Sequence, residues 1–348
     1  MKNSLPGRWP VSLPTTLNAD NSLRLNTCLS MFYRRDGLVV EREITFTSGT
    51  LHLAGTLTIP DSKGTFPAVL LIPGSGQVDR NENHKRLPIN AFREITDHLI
   101  ERGIATLRYD KRGVGASEGN YWETGLFDNV TDASSALMYL KACDEIRTDA
   151  IFLLGHSEGA LISTRLAGNG AEVAGIILLA GSAQCGEDIL KWQAQQVAEG
   201  MGGLNKWLIK LLRVNVLKAQ QKQLDKIKRS SKDWYRVQLI TKINARWMRE
   251  FMAYNPAEDM PGIRVPVLAI TGSKDIQVDP ADLKRMSEVI KSDFEYHEIP
   301  NGTHILRIEE GKPSLSTYKK QLHQTMDSRI LDLISEWLQK RIDKSVGQ

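Results

Sequence analysis

Short, wholly apolar runs alternate with amphipathic stretches along most of this chain. The runs AVLLI (68–72), IATLRY (104–109), IFLLG (151–155), AGIILLAG (174–181) and VPVLAITG (265–272) read as strands buried on both faces. FEYHEI (294–299) reads as one more strand. Between the runs, apolar residues recur at helical spacing. Phe92, Ile95 and Leu99 mark a helix over 90–102, and Phe127, Val130, Ala133, Leu137 and Leu140 mark another over 127–141. ALISTRLAG (160–168) is a third, and residues 317–341 close the pattern with a long amphipathic helix. At the front, EREITFTSGTLHLAGTLTI (41–59) alternates with period two and predicts a hairpin turning at Ser48-Gly49. Strands alternating with helices predict an α/β fold with a mostly parallel, doubly wound sheet and an N-terminal antiparallel hairpin.

The alternation breaks once. Residues 185–260 show no strand pattern, only polar-basic helical stretches holding Trp192, Trp207, Trp234 and Trp247. The segment reads as a helical subdomain inserted after the 174–180 strand. It carries 14 Lys and Arg against 8 Asp and Glu, so it is +6 in a chain whose net charge is +4. A solvated helix face explains most such excesses, and no nucleic-acid-binding motif accompanies this one. Within it, LNKWLIKLLRVNVLKAQQKQLDKIKR (204–229) sets Trp207 and leucines beside lysines. Such a pattern suits contact with a membrane surface or a lid over a pocket.

Composition narrows the class. The longest apolar runs fall far below the ~20 residues that span a bilayer. There is no internal repeat. Cys28, Cys143 and Cys185 are too few for a disulfide framework and form no zinc pattern, which points to a reducing, cytoplasmic setting. Residues 1–40 form a Pro-, Asn- and Ser-rich leader expected to be poorly ordered, and Met31 is an alternative start.

The candidate chemistry centres on Gly155-His156-Ser157-Glu158-Gly159, a G-x-S-x-G sequence between a strand and a helix. A serine on such a turn stands clear of the backbone at the top of the sheet. The following helix presents free N–H groups and the positive end of its dipole. A serine hydroxyl needs a base. Of seven histidines, His304 lies on a Gly-containing loop after the last strand, where sites in open α/β sheets form. His156, next to the serine, is expected to point elsewhere, in packing or a local hydrogen bond. The base needs an orienting acid. In TGSKDIQVDP, Asp275 lies near the strand end, whereas Asp279 before Pro280 reads as a helix N-cap. Ser157, Asp275 and His304 are thus the expected catalytic residues.

IPGSGQVDRN (72–81), RYDKRGVGASEG (108–119), GHSEG (155–159) and TGSKDIQV with NGTH resemble segments of the α/β-hydrolases. The order Ser, Asp, His matches as well. The likeness runs from about 41 to 340, and PGSGQVDRN is similar to the bacterial esterase and serine-aminopeptidase-like branch. It implies a core over 41–184 and 261–348, with 185–260 as the lid. Asp110, Arg112, Gly113, Gly115 and Ser117 resemble a D-x-R-G-x-G-x-S loop that braces the site. Pro73-Gly74 replaces the His-Gly of many relatives, so the oxyanion donors are expected to be the backbone N–H of Ser75, or of Gly76, and that of Glu158. The expected function is hydrolysis of a small-molecule carboxylic ester through an acyl-enzyme, without metal or organic cofactor. A serine peptidase, a thioesterase or acyltransferase, and a catalytically silent ligand-binding relative remain the alternatives.

Overall fold

The computed structural model describes residues 39–60, 63–200, 216–237 and 241–346. Most of the leader, and Trp207 with residues 204–215 of the amphipathic stretch, lie outside these residues. An eight-stranded sheet forms the centre. Its strands are β1 (Val39–Ser48), β2 (Leu51–Pro60), β3 (Phe66–Ile72), β6 (Ala105–Tyr109), β7 (Ile146–His156), β8 (Gly175–Leu179), β11 (Val267–Gly272) and β12 (Phe294–Ile299). Two short pairs stand apart: β4 (Asn83–His84) with β5 (Leu87–Pro88), and β9 (Trp234–Val237) with β10 (Thr241–Asn244). The sheet order is β1-β2-β6-β3-β7-β8-β11-β12. The six strands from β6 onward run parallel, and the β1–β2 hairpin joins antiparallel at one edge.

Period-two alternation explains why β3 and the second half of β7, covered on both faces, are apolar. In β3, Ala68, Leu70 and Ile72 feed one core layer while Val69 and Leu71 feed the other. In β7, Ile151 and Leu153 face the first layer, and Phe152 and Leu154 the second. Helices α2 (Leu126–Lys141) and α3 (Glu158–Gly168) cover the first layer. Helices α1 (Ala91–Ile100) and the C-terminal Ser328–Val346 cover the second, where Trp337 packs edge-on against Phe152.

Two expectations need correction. The helix expected over 317–341 is interrupted between a short turn at Tyr318–Gln321 and the helix from Ser328. Tertiary bonds claim the intervening backbone: Arg307 Nε donates to Gln324 O, and Met326 N–H donates to Glu94. The insertion is also not wholly helical. It holds helices α4 (Gly186–Gly200), α5 (Val216–Arg229) and α6 (Ala245–Ala253), with the β9–β10 pair between α5 and α6. Lys242 lies over the rings of Trp122 and Trp234, which ties that pair to the core loop before α2. A single alternating stretch this short gives too weak a periodic signal.

Candidate active site

Strand β7 ends at His156, and α3 begins at Glu158, leaving Ser157 alone at the corner. Its φ of 55° and ψ of −113° are costly for a residue with a Cβ. The fold holds it there by close approach on both sides. A Cβ on Gly155 would sit 2.0 Å from Gly159 O, and one on Gly159 would sit 1.9 Å from Ile72 O. Any larger residue pushes α3 off the sheet.

The loops after β11 and β12 bring up the other two expected residues. His304 Nε2 is 3.1 Å from Ser157 Oγ, and His304 Nδ1 is 2.8 Å from Asp275 Oδ2. Asp275 is buried, and its second oxygen accepts from the N–H groups of Gln277 and Val278 at 2.7 and 2.9 Å. Those bonds fix the carboxylate, which in turn fixes the imidazole. The arrangement lets a hydroxyl lose its proton to a ring whose far side faces a carboxylate. Asp279 is separate. The helix after it, α7 (Asp282–Val289), starts beyond Ala281, and Asp279 accepts instead from Ala281 N–H and Arg285. The turn Asp279 to Asp282 intervenes, so it does not cap the helix as the sequence suggested.

Ser75 and Glu158 both line the pocket at Ser157, together with Leu161, Ile189, Trp247 and Phe251. As the first residue of α3, Glu158 has an N–H without an intrahelical acceptor. Its side chain was not singled out from the sequence. It is buried, and it accepts from Lys111 Nζ at 3.1 Å, Asn129 Nδ2 at 2.7 Å and Trp247 Nε1 at 3.0 Å. Burial raises the carboxyl above its usual range, and these three donors partly offset the rise.

His156 makes bonds that are neither local nor incidental. Its Nδ1 is 2.7 Å from Glu82 Oε1, and its Nε2 is 2.9 Å from the backbone oxygen of His304. Glu82 also accepts from Gly74 N–H through both oxygens. With an acceptor at each ring nitrogen, the geometry favours the imidazolium. Burial opposes that charge, but the Glu82 carboxylate and the His304 carbonyl outweigh it, and His156 titrates above its ordinary value. Glu82, Lys111 and Asn129 thus surround the site unannounced, and His156 and Trp247, which the sequence analysis did name, join them there. The only available signal was position: Glu82 and Lys111 follow the C-terminal ends of β3 and β6, where such sites gather.

The D-x-R-G-x-G-x-S loop joins the same frame. Asp110 accepts from Arg80 N–H, Nε and Nη2, and Ser117 Oγ both donates to Asp110 O and accepts from Ala54 N–H. The loop thereby ties β2 and β6 to the segment that follows β3.

Known proteins place this frame. Esterase EstD of Thermotoga maritima is 27% identical over 304 residues, covering 86% of this chain and 68% of EstD. The structure of Est1E from Butyrivibrio proteoclasticus with bound ferulic acid superposes with a TM-score of 0.60 at 18% identity, covering 86% of this chain and 99% of that one. An esterase of Pyrococcus furiosus, Pf2001, gives 0.53 at 17% identity, over 80% and 85% of the two chains. These structural likenesses establish the α/β-hydrolase fold. The family described as serine aminopeptidase, S33, matches residues 88–311, which is more than half of the sequence. On that match and that fold, the chain belongs to the serine aminopeptidase, S33, family of α/β-hydrolases.

Proposed function

We propose that the protein is a serine hydrolase that cleaves a small-molecule carboxylic ester, with Ser157 as nucleophile, His304 as base and Asp275 as orienting acid. The observation that carries this reading is the continuous chain Ser157 Oγ–His304–Asp275 at 3.1 and 2.8 Å. The likeness to EstD supports the choice of an ester. Ser157 Oγ attacks the acyl carbon as His304 Nε2 takes its proton. The N–H groups of Ser75 and Glu158 hold the negative oxygen. His304 then protonates the departing alkoxide as the carbon–oxygen bond breaks. Water attacks the acyl-enzyme, giving its proton to His304, and the carboxylic acid leaves as Ser157 regains its proton. Asp275 stabilises the imidazolium in each half-reaction.

The family's description raises a second reading, a peptidase acting at a free amino terminus. An ammonium group needs an available carboxylate. Among the described pocket residues the one carboxylate is Glu158, and it is already engaged by Lys111, Asn129 and Trp247. This disfavours a substrate with a free amino terminus. The insertion over 185–260 acts as the lid on a core of 41–184 and 261–348. Ile189, Leu190, Trp247 and Phe251 of that insertion line the pocket, which supports this division. No helix among the described residues is long and apolar enough to cross a membrane. The sparse cysteines favour a cytoplasmic setting. The test is a panel of p-nitrophenyl esters, aminoacyl-anilides and acyl-CoA thioesters, run with the unaltered protein and Ser157→Ala. Ester turnover that depends on Ser157 is expected. Preferred turnover of anilides or thioesters overturns the substrate class, and turnover unchanged by Ser157→Ala overturns the nucleophile.

A further inference from the structure

Lys111 is a buried lysine with two buried partners. Its Nζ donates to Gly74 O at 2.9 Å and to Glu158 Oε1 at 3.1 Å. Each partner belongs to one side of the proposed oxyanion hole. Gly74 O and Ser75 N–H are the two ends of one peptide unit. The described chain has no cis peptide bonds, so this unit is trans and the two groups point in opposite directions. Fixing the carbonyl on Lys111 therefore aims the Ser75 N–H away from Lys111. Ser75 itself lines the pocket with Ser157 and Glu158. The preceding peptide is held as well, because Gly74 N–H donates to Glu82 at 2.9 and 3.0 Å. On the other side, the Glu158 carboxylate anchors the first residue of α3, whose N–H is the second donor.

We propose that Lys111 is a positioning residue for catalysis, which presets both oxyanion donors through Gly74 O and the Glu158 carboxylate. The proposal rests on the reading of Ser75 and Glu158 N–H as the oxyanion donors. Two effects combine. The ammonium removes the freedom of the 74–75 peptide to rotate, so its N–H needs no reorganisation when charge develops. Hydrogen bonding of a cation to the carbonyl also polarises the peptide, which strengthens the N–H at its other end. A lysine present only as a counter-ion for Glu158 has no need of Gly74. Glu158 already accepts from Asn129 and Trp247.

The test compares Lys111→Met with Lys111→Met/Glu158→Gln, the second variant removing the carboxylate that the first leaves buried and unpaired. Both are measured with p-nitrophenyl butyrate, with an alkyl trifluoromethyl ketone that forms an oxyanion adduct on serine, and with the matching methyl ketone as a ground-state mimic. Removing a donor outright costs about 10²–10³ in kcat, so loosening its aim is expected to cost about 10–10². KM is expected to stay within about twofold, as for an interaction made only in the transition state. Affinity for the trifluoromethyl ketone is expected to fall by the same factor as kcat, with methyl ketone affinity unchanged. The double variant is expected to recover Tm without recovering kcat. Recovery of both, an unchanged kcat in Lys111→Met, or equal losses for the two ketones overturns the proposal. So does a double variant that fails to fold, which assigns Lys111 to stability alone. Ser157→Ala separates the underlying reading. If turnover survives that change, the serine mechanism fails and the Lys111 assignment falls with it. If turnover is lost there yet Lys111→Met is unaffected, only the Lys111 role is wrong.

Discussion

Ser157 is a hydroxyl on a strained corner, and the loss of one oxygen tests its role with little change in packing. Ser157→Ala is expected to lower ester kcat by about 10⁴–10⁶ and to abolish labelling by a fluorophosphonate, while Tm holds. Steady-state rates and probe labelling check this. The two aspartates after β11 differ more sharply than their spacing suggests. Asp275 faces His304 Nδ1, so Asp275→Asn is expected to cost about 10⁴ in kcat through the wrong tautomer. Asp279 pairs with a half-exposed Arg285, so Asp279→Asn is expected to cost about 0–1 kcal/mol of stability and little activity. Parallel kcat and urea-melt measurements decide the order, and the reverse order moves the orienting acid to Asp279.

At the scale of elements, the corner between β7 and α3 depends on contact without side chains. Gly159→Ala would place a methyl 1.9 Å from Ile72 O, at the foot of the loop that carries Ser75. A stability loss of about 1–3 kcal/mol or more is expected from denaturant melts, with lost activity because α3 carries the Glu158 N–H. Helix α6 gives the second test. Its Trp247 stacks on Phe251 at 4.8 Å, lines the pocket and donates to Glu158. Burial of acyl chain there is worth about 0.8 kcal/mol per methylene, or about fourfold in kcat/KM. Trp247→Ala is therefore expected to flatten the rise of kcat/KM from acetate to decanoate esters, while acetate falls least. An equal fall on every ester, acetate included, makes the insertion part of the catalytic frame rather than a lid.

For the whole molecule, the buried Glu82–His156 pair links three segments distant in the chain: the loop after β3, the end of β7 and the loop after β12. Removing one partner of a buried ion pair typically costs about 3–5 kcal/mol, the loss expected for Glu82→Gln. The folded pKa of His156 is raised, so its contribution is full below the unfolded value near 6.5 and is lost as pH rises through the folded value. The stability advantage of the unaltered protein over Glu82→Gln is expected to shrink as pH rises above about 6.5. Denaturant melts from acid to mildly alkaline pH check this, and an advantage that grows with pH assigns the charge wrongly. By itself the sequence determined what is local. Apolar runs such as AVLLI and IFLLG prescribe doubly buried strands, because alternate residues must face opposite layers. The G-x-S-x-G corner marks its own turn, because only glycines allow that approach. Only the tertiary structure decided what depends on distant partners. The helix expected over 317–341 breaks where Arg307 and Glu94 take its backbone. His156 turns away from the serine to bond Glu82 and the carbonyl of His304. Lys111 meets Gly74 and Glu158, residues 37 and 47 positions away. A buried polar group is stable only with its partner in place, and no periodicity in the chain records where that partner lies.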